Sequence, residues 1–82
     1  MATSTFHLSI SSVGQTYFDS EARSATFPGA DGEFTILPKH EPFVSTLKSG
    51  SILVRLPDGE TKEFQNENGV VECSANKVTV LL

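Results

Sequence analysis

The sequence has no tryptophan, one tyrosine and a single cysteine among its 82 residues. One cysteine cannot form an internal disulfide, so the chain is not a small disulfide-stapled domain, and a reducing compartment is expected. The lack of aromatic platforms argues against a carbohydrate-binding module. No apolar run exceeds a few residues, and the first residues lack the basic and apolar stretches of a secretory signal. A soluble chain is therefore expected.

Basic residues are also few. Six Lys and Arg stand against ten Asp and Glu, which gives a net charge of -4. Nucleic-acid binding requires a basic surface that neutralises phosphates, so this balance argues against DNA or RNA as the partner. At 82 residues the chain forms one domain, residues 1–82, with a small core. An enclosed catalytic cleft is not expected in a domain of this size.

Apolar and polar residues alternate along much of the chain. Alternation over residues 6–10, 51–56 and 77–81 predicts three strands with one buried face. Shorter stretches predict further strands at 15–18, 23–27, 33–37, 43–47, 61–65 and 70–73, about nine in all. The residues predicted to face the core are Phe6, Leu8, Ile10, Ile52, Val54, Val78 and Val80.

Turn residues separate these strands at short intervals. Residues 28–32 contain Pro and two Gly, and Pro57, Asp58 and Gly59 predict a hairpin. The best helical candidate, residues 19–25, is short and rich in serine. The pattern predicts an all-β fold, an antiparallel sandwich or barrel.

The residues that most often carry chemistry are isolated. His7 and His40 lie far apart in sequence, and neither forms a metal-ligand spacing with Cys73. The alternation places His7 on the outward, solvated face and Cys73 in the core. No G-x-S-x-G motif and no phosphate-binding loop is present. No catalytic residue, metal or cofactor is expected, and the chain is not expected to be an enzyme.

Residues 27–43 form the segment richest in proline, with three of the four prolines of the chain. Pro38 and Pro42 restrict the backbone around them, so His40 and Glu41 are expected on a rigid loop. One interpretation is that the loop presents these side chains to a partner. The alternative is that the segment is only a sturdy crossover between two sheets.

This segment resembles the N-terminal domain of the ε subunit of rotary F-type ATP synthases. The family signature reads approximately F/V-P-G-x-x-G-E-x-G/T-I-L-P-x-H-x-P. The matching positions are Phe27-Pro28-Gly29, Gly32-Glu33, Ile36-Leu37-Pro38, His40 and Pro42. The resemblance extends to residues 6–13, 47–50, 69–72 and 77–81, so nearly the whole chain is covered.

The resemblance implies a ten-stranded antiparallel β-sandwich that belongs to the central stalk of the motor. It implies a non-catalytic rotor subunit that holds the γ subunit, rests on the membrane c-ring, and couples proton flow to ATP synthesis. Such a subunit is a peripheral component on the cytoplasmic face of the bacterial inner membrane. The resemblance implies neither a cofactor nor a small-molecule substrate.

Two residues are carried over as partner contacts. Glu33 and His40 fall on the family's Gly-Glu and Pro-x-His positions, which in the family lie at or near the γ and c-ring contacts, and Asp31 and Pro42 are their expected neighbours. The segment departs from the family pattern at three positions. Thr35 and Lys39 stand where glycine is common, and Glu41 stands where alanine is common.

Family members typically continue past the last predicted strand into a two-helix hairpin that can inhibit hydrolysis. This chain stops at Leu82, either as a naturally short form, which the Met1 start favours, or as a piece cut at the domain border. Outward-facing Leu53 and Leu81 are the first residues expected in an apolar patch that docks on γ. Two other functions stay open, a generic β-sandwich ligand-binding module and a small hydrolase that uses His40 with a nearby serine.

Overall fold

In a computed structural model the described residues, 4–82, form strands joined by short turns and loops, and this range contains no helix. The nine strands are β1 Phe6–Ser12, β2 Gln15–Ala22, β3 Ser24–Gly29, β4 Gly32–Ile36, β5 Phe43–Leu47, β6 Gly50–Arg55, β7 Thr61–Asn66, β8 Gly69–Ser74 and β9 Lys77–Leu81. The residue alternation predicts this number, and the described chain has one strand fewer than the ten that the resemblance implies. No helix in the described range is long and apolar enough to cross a membrane.

Residues 19–25, the best helical candidate within the predicted all-β pattern, are not helical, since they span the end of β2, Arg23 and the start of β3. Phe18, Ala22 and Ala25 are buried, and their spacing of four and three residues imitates a helical face. In β2 the residue between the first two, Ser20, is exposed. Among the described strands β2 pairs only with β1, so it is an edge strand of the sheet.

The hydrogen-bonded ladder folds into two layers. Sheet I has the strand order β2-β1-β9-β8-β5, and sheet II consists of β4, β3, β6 and β7. β3 and β5 share a single residue pair, Gly29 with Leu47, so the ladder turns at this corner. The buried side chains of both sheets fill the space between the layers, as in a β-sandwich.

Gly29 is required at the corner between the sheets. A Cβ atom there would lie 2.6 Å from the carbonyl oxygen of Gly32 and 2.7 Å from the ring of Phe34. Two hydrogen bonds reinforce the corner, from the Ala30 amide to the Thr46 carbonyl and from the Lys48 amide to the Pro28 carbonyl. The Pro-Gly pair thus allows the backbone to approach closely where a side chain has no room.

One strand pair is parallel. β1 and β9 run in the same direction, with Leu8 opposite Val78 and Ile10 opposite Val80, whereas every other pair among the described strands is antiparallel. Parallel strands need a long crossover connection, and here the intervening seven strands provide it. The expectation of a sandwich is confirmed, and its sheet I is mixed rather than purely antiparallel.

All seven residues predicted to face the core are buried. They are joined by Phe27, Ile36, Val71 and Cys73, each at most 2% exposed. Burying a large aliphatic or aromatic side chain contributes about 1.5–3 kcal/mol, so a core of this size suits a small domain. The prediction that Cys73 is a core residue is confirmed.

Candidate partner-contact surfaces

The β3–β4 hairpin presents two carboxylates to solvent. Asp31 lies in its two-residue turn, and Glu33 lies in β4 opposite Pro28. Both side chains are exposed. Within residues 4–82 neither carboxylate forms an ion pair, since the ion pairs found there both involve His7. We call Asp31 and Glu33 the hairpin acids.

Residues 37–42, which we call the His40 loop, connect β4 to β5. The His40 amide donates to the carbonyl oxygen of Leu37 at 3.2 Å, and Lys39 has a positive φ of 64°. Pro38 at the second position and a positive φ at the third are the features of a type II β-turn. The prediction of an ordered loop stiffened by proline agrees with this turn.

The His40 ring is anchored to the core through aromatic side chains. Its centroid lies 5.0 Å from that of Phe43, and Phe43 meets Phe34 edge-on at 5.4 Å. Phe34 stacks on buried Phe27 at 5.5 Å. The His40 Nδ1 lies 2.8 Å from the Glu41 carbonyl oxygen, which fixes Nδ1 as the protonated donor and leaves Nε2 facing away from this contact.

Cys73 contacts the same loop from the buried side. Its Sγ lies 3.9 Å from the His40 carbonyl oxygen, a weak contact that only a protonated thiol makes. Burial raises the pKa of the Cys73 thiol, so the thiol keeps its proton at neutral pH. An inert, buried thiol fits a structural role rather than that of a nucleophile.

The four predicted site residues do not form one cluster. β4 runs from Gly32, next to Asp31, to Ile36, next to the His40 loop, and four strand steps of about 3.3 Å place these ends about 13 Å apart. The neighbouring strands show the same separation, since Leu47 pairs with Gly69 and Phe43 pairs with Cys73. The structure therefore groups Asp31 with Glu33, and His40 with exposed Pro42.

An exposed apolar patch lies on the outer face of sheet I. Val70 on β8 is directly opposite Leu81 on β9, and Val44 on β5 pairs with Glu72, two residues along β8 from Val70. Their exposed fractions are 66% for Val44, 40% for Val70 and 56% for Leu81. We call these three residues the sheet I patch.

The expectation that Leu53 and Leu81 share one patch is wrong. Leu53 is exposed but lies on β6 of sheet II, where its cross-strand neighbours are Thr26 and Glu63. Leu53 therefore lies on the outer face of sheet II, whereas Leu81 lies on the outer face of sheet I. Val44 and Val70 were not predicted as patch residues. The signal for them is their alternation with residues that are buried, Leu47, Val71 and Cys73.

His7 lies on the same outer face of sheet I, between two carboxylates of β2. Its Nε2 lies 2.5 Å from Asp19 Oδ1, and its Nδ1 lies 3.3 Å from Glu21 Oε2. The side chain is outward-facing, as predicted, yet it is partnered on both ring nitrogens. Among the described residues, no group of three His, Cys, Asp or Glu side chains has the arrangement to hold a metal ion.

A cleft of about 550 Å³ opens between the edges of β2 and β7. Its walls are formed by Ser12, Tyr17, Glu63, Phe64, Gln65, Glu67, Asn68 and Leu82. None of the four predicted site residues and neither histidine lines it. In the described part of the chain no serine hydroxyl hydrogen-bonds to His7 or His40, so no serine–histidine pair of a hydrolase is assembled.

Comparison with known proteins identifies the family. Residues 5–82 match the family model of the ATP synthase Delta/Epsilon chain β-sandwich domain. The chain belongs to this family. The resemblance carried by the segment at residues 27–43 is thereby confirmed, and so is the β-sandwich it implies.

Relatives of this domain family are named ATP synthase epsilon chain. The chain is 43% identical over 65 residues to the protein from a Nitratiruptor species, covering 79% of this chain and 50% of the relative. It is 35% identical to that of Delftia acidovorans, covering 94% and 56%, and 39% identical to that of Chlorobium limicola, covering 93% and 86%. The chain thus spans about half the length of the first two and most of the third.

Solved structures share the fold of this domain family. A chain in the cryo-EM structure of the Euglena gracilis mitochondrial ATP synthase that includes the c-ring superposes with a TM-score of 0.90 at 17% identity, covering 99% of this chain and 52% of that one. A chain in the Tetrahymena thermophila mitochondrial ATP synthase central stalk and c-ring structure gives 0.80 at 16% identity, covering 99% and 65%. At these identities the likeness concerns the fold.

Proposed function

We propose that the chain is the β-sandwich domain of a non-catalytic central-stalk subunit of the proton-translocating ATP synthase. It links the γ subunit to the membrane c-ring and so couples proton flow to ATP synthesis. Three observations support this proposal: the family of the domain, the relatives named ATP synthase epsilon chain, and a fold shared with chains in ATP synthase assemblies.

The separation of the hairpin acids from the His40 loop is the observation that carries the proposal. A subunit that bridges two partners needs two exposed surfaces on one rigid body. Asp31 and His40 flank opposite ends of β4, which is itself paired along its whole length with β3. A force applied at one end is therefore transmitted through a continuous sheet to the other.

The γ subunit docks, on this proposal, on the sheet I patch and the adjoining His40 loop. Val44 lies two residues after Pro42, at the loop end of β5. From there the patch runs along the outer face of sheet I to Val70 and Leu81, which lie toward the Leu47 end of β5. Stable protein interfaces place apolar side chains at their centre and polar groups at their rim. Val44, Val70 and Leu81 supply the centre, and His40 Nε2 supplies a polar contact at the rim.

The c-ring meets the hairpin acids. Asp31 and Glu33 are exposed and free of intramolecular ion pairs in the described chain, so they suit the polar loops of a membrane ring. A domain held in this way is a peripheral component of the complex. In a bacterium it lies on the cytoplasmic face of the inner membrane.

Binding to purified γ subunit tests the proposal directly. We expect the chain to bind γ in calorimetry and Leu81→Asp to weaken the affinity at least tenfold, because it places a charge at an apolar interface centre. Leu53→Asp is the matched control, since Leu53 is similarly exposed on the other sheet, and it should leave the affinity unchanged. No binding by the unaltered chain, or equal losses in both variants, would contradict the proposal.

A further inference from the structure

Asn76 forms hydrogen bonds to two other parts of the chain, although its side chain is exposed. Its Oδ1 accepts from the Lys39 amide at 2.6 Å, and its Nδ2 donates to the Thr5 carbonyl at 2.9 Å. Its own carbonyl accepts from the His7 amide at 3.2 Å. Both ends of the amide are therefore used, and the β8–β9 turn is joined to the His40 loop.

The contact with Lys39 falls where the loop backbone is strained. Lys39 has a φ of 64°, in the left-handed region that favours glycine because a Cβ atom crowds the backbone there. The third position of a type II turn usually holds Gly or Asn for this reason. In this chain a lysine occupies the position, so an interaction that holds its backbone favours the turn.

Two other contacts, both to the His40 backbone, are longer than the one from Asn76 to Lys39. The His40 amide to the Leu37 carbonyl is 3.2 Å, and the Cys73 thiol lies 3.9 Å from the His40 carbonyl. The Lys39 amide bond to Asn76 Oδ1 is the shortest of the three. It also acts on the strained residue itself, whereas the others act on its neighbour.

We propose that Asn76 is the positioning residue of the His40 loop. Its Oδ1 accepts the Lys39 N–H, holds Lys39 in the left-handed conformation, and thereby sets the His40 ring against Phe43. The expected effect of Asn76 on γ binding rests on the proposed function of His40. The expected effect of Asn76 on the loop conformation is independent of that proposal.

The test uses Asn76→Gly, because glycine retains the positive φ of 61° that residue 76 adopts in the β8–β9 turn and removes only the side-chain amide. Amide hydrogen exchange in the 82-residue chain reports on the loop, and calorimetry reports on γ binding. We expect the Lys39 amide to exchange about fivefold faster, as loss of one hydrogen bond predicts, and γ affinity to fall by about the same factor. Exchange within β8 and β9 should not change.

Two further variants separate positioning from general stability. Lys39→Gly added to Asn76→Gly should restore γ affinity, because glycine adopts the left-handed conformation without help. Asn76→Asp keeps the acceptor and should keep slow exchange at Lys39, which also covers the case in which Asn76→Gly fails to fold.

The outcomes distinguish the two proposals. Unchanged Lys39 exchange in Asn76→Gly or equally fast exchange in Asn76→Asp would overturn the positioning role. A γ affinity that Asn76→Gly lowers and that Lys39→Gly does not restore would overturn it as well. Faster exchange with unchanged γ affinity would support the positioning role and overturn the assignment of His40 to the γ interface.

Discussion

The rings of Phe18 and Phe64 meet edge-on across the open side of the sandwich, with their centroids 5.9 Å apart. Phe18 belongs to β2 of sheet I and Phe64 to β7 of sheet II, and no hydrogen-bonded ladder joins these two strands. At the corner between β3 and β5, in contrast, the Gly29–Leu47 pair joins the two sheets through the backbone. Side-chain packing alone therefore closes the sandwich at the Phe18–Phe64 contact.

Phe18→Ala should lower the free energy of unfolding by about 3 kcal/mol, the usual cost of truncating a core phenylalanine. The loss includes the edge-on contact with Phe64 as well as the buried area. Urea denaturation measures the change. Val13→Ala, at a fully exposed turn position, is the control and should change the value by less than about 0.5 kcal/mol. Equal effects in both variants would show that β2 does not close the core.

Gly29→Ala should lower the free energy of unfolding by about 2 kcal/mol or more. The reason is that the added methyl group meets a backbone oxygen and the Phe34 ring. Gly14→Ala provides the comparison. Gly14 has a φ of 78° and open space around it, so alanine there incurs only the backbone strain of about 1 kcal/mol. Thermal unfolding of the two variants should show the larger loss for Gly29→Ala, and the reverse order would refute the close approach at the corner.

The core was predictable from the sequence because a strand alternates its side chains strictly. Phe6, Leu8 and Ile10 read as one buried face, and they are buried. The parallel pairing of β1 with β9 was not predictable, since no local signal connects strands at opposite ends of the chain. Alternation also does not say to which layer a strand belongs, which is why Leu53 and Leu81 were wrongly placed in one patch.

The candidate site was only partly predictable. The order of residues along β4 already separates Asp31 from His40 once residues 33–37 are read as a strand. The role of Asn76 was hidden, because it depends on a contact between residues 39 and 76. An Asn in a two-residue turn signals a left-handed backbone, but nothing local indicates what its side chain will bind.

Stability should fall with rising pH above the ordinary pKa of a thiol, about 8.5. Burial raises the pKa of the Cys73 thiol in the folded chain, so between the two pKa values the unfolded chain releases a proton that the folded chain keeps. The slope approaches about 1.4 kcal/mol per pH unit. Well below the ordinary thiol pKa both states are protonated, and this group contributes no pH dependence.

Urea denaturation from neutral pH to about 10 checks the effect of the thiol. Cys73→Ala should reduce the slope above pH ~8.5 while lowering stability uniformly through the lost packing. The comparison therefore concerns slopes rather than absolute values. Identical slopes in the two proteins would show that the thiol titrates alike in the folded and unfolded chains.

Glu33→Gln and His40→Ala should affect different partners. Both side chains are exposed, so each variant should remain folded, with a melting temperature within a few degrees of the unaltered chain. His40→Ala removes the Nε2 contact proposed for γ and should weaken binding to isolated γ about fivefold. Glu33→Gln should leave that affinity unchanged and instead weaken retention of the chain in complexes that contain the c-ring.

Each variant serves as the control for the other, since both alter one exposed polar side chain, Glu33 near the start of β4 and His40 beyond its end. Calorimetry with γ and co-purification with c-ring complexes are the two measurements. If both variants weaken the same partner, the hairpin acids and the His40 loop contact one surface rather than two, and the bridging role is wrong. If either variant unfolds the domain, its side chain is structural, and the crossover interpretation of the segment at residues 27–43 replaces the contact interpretation.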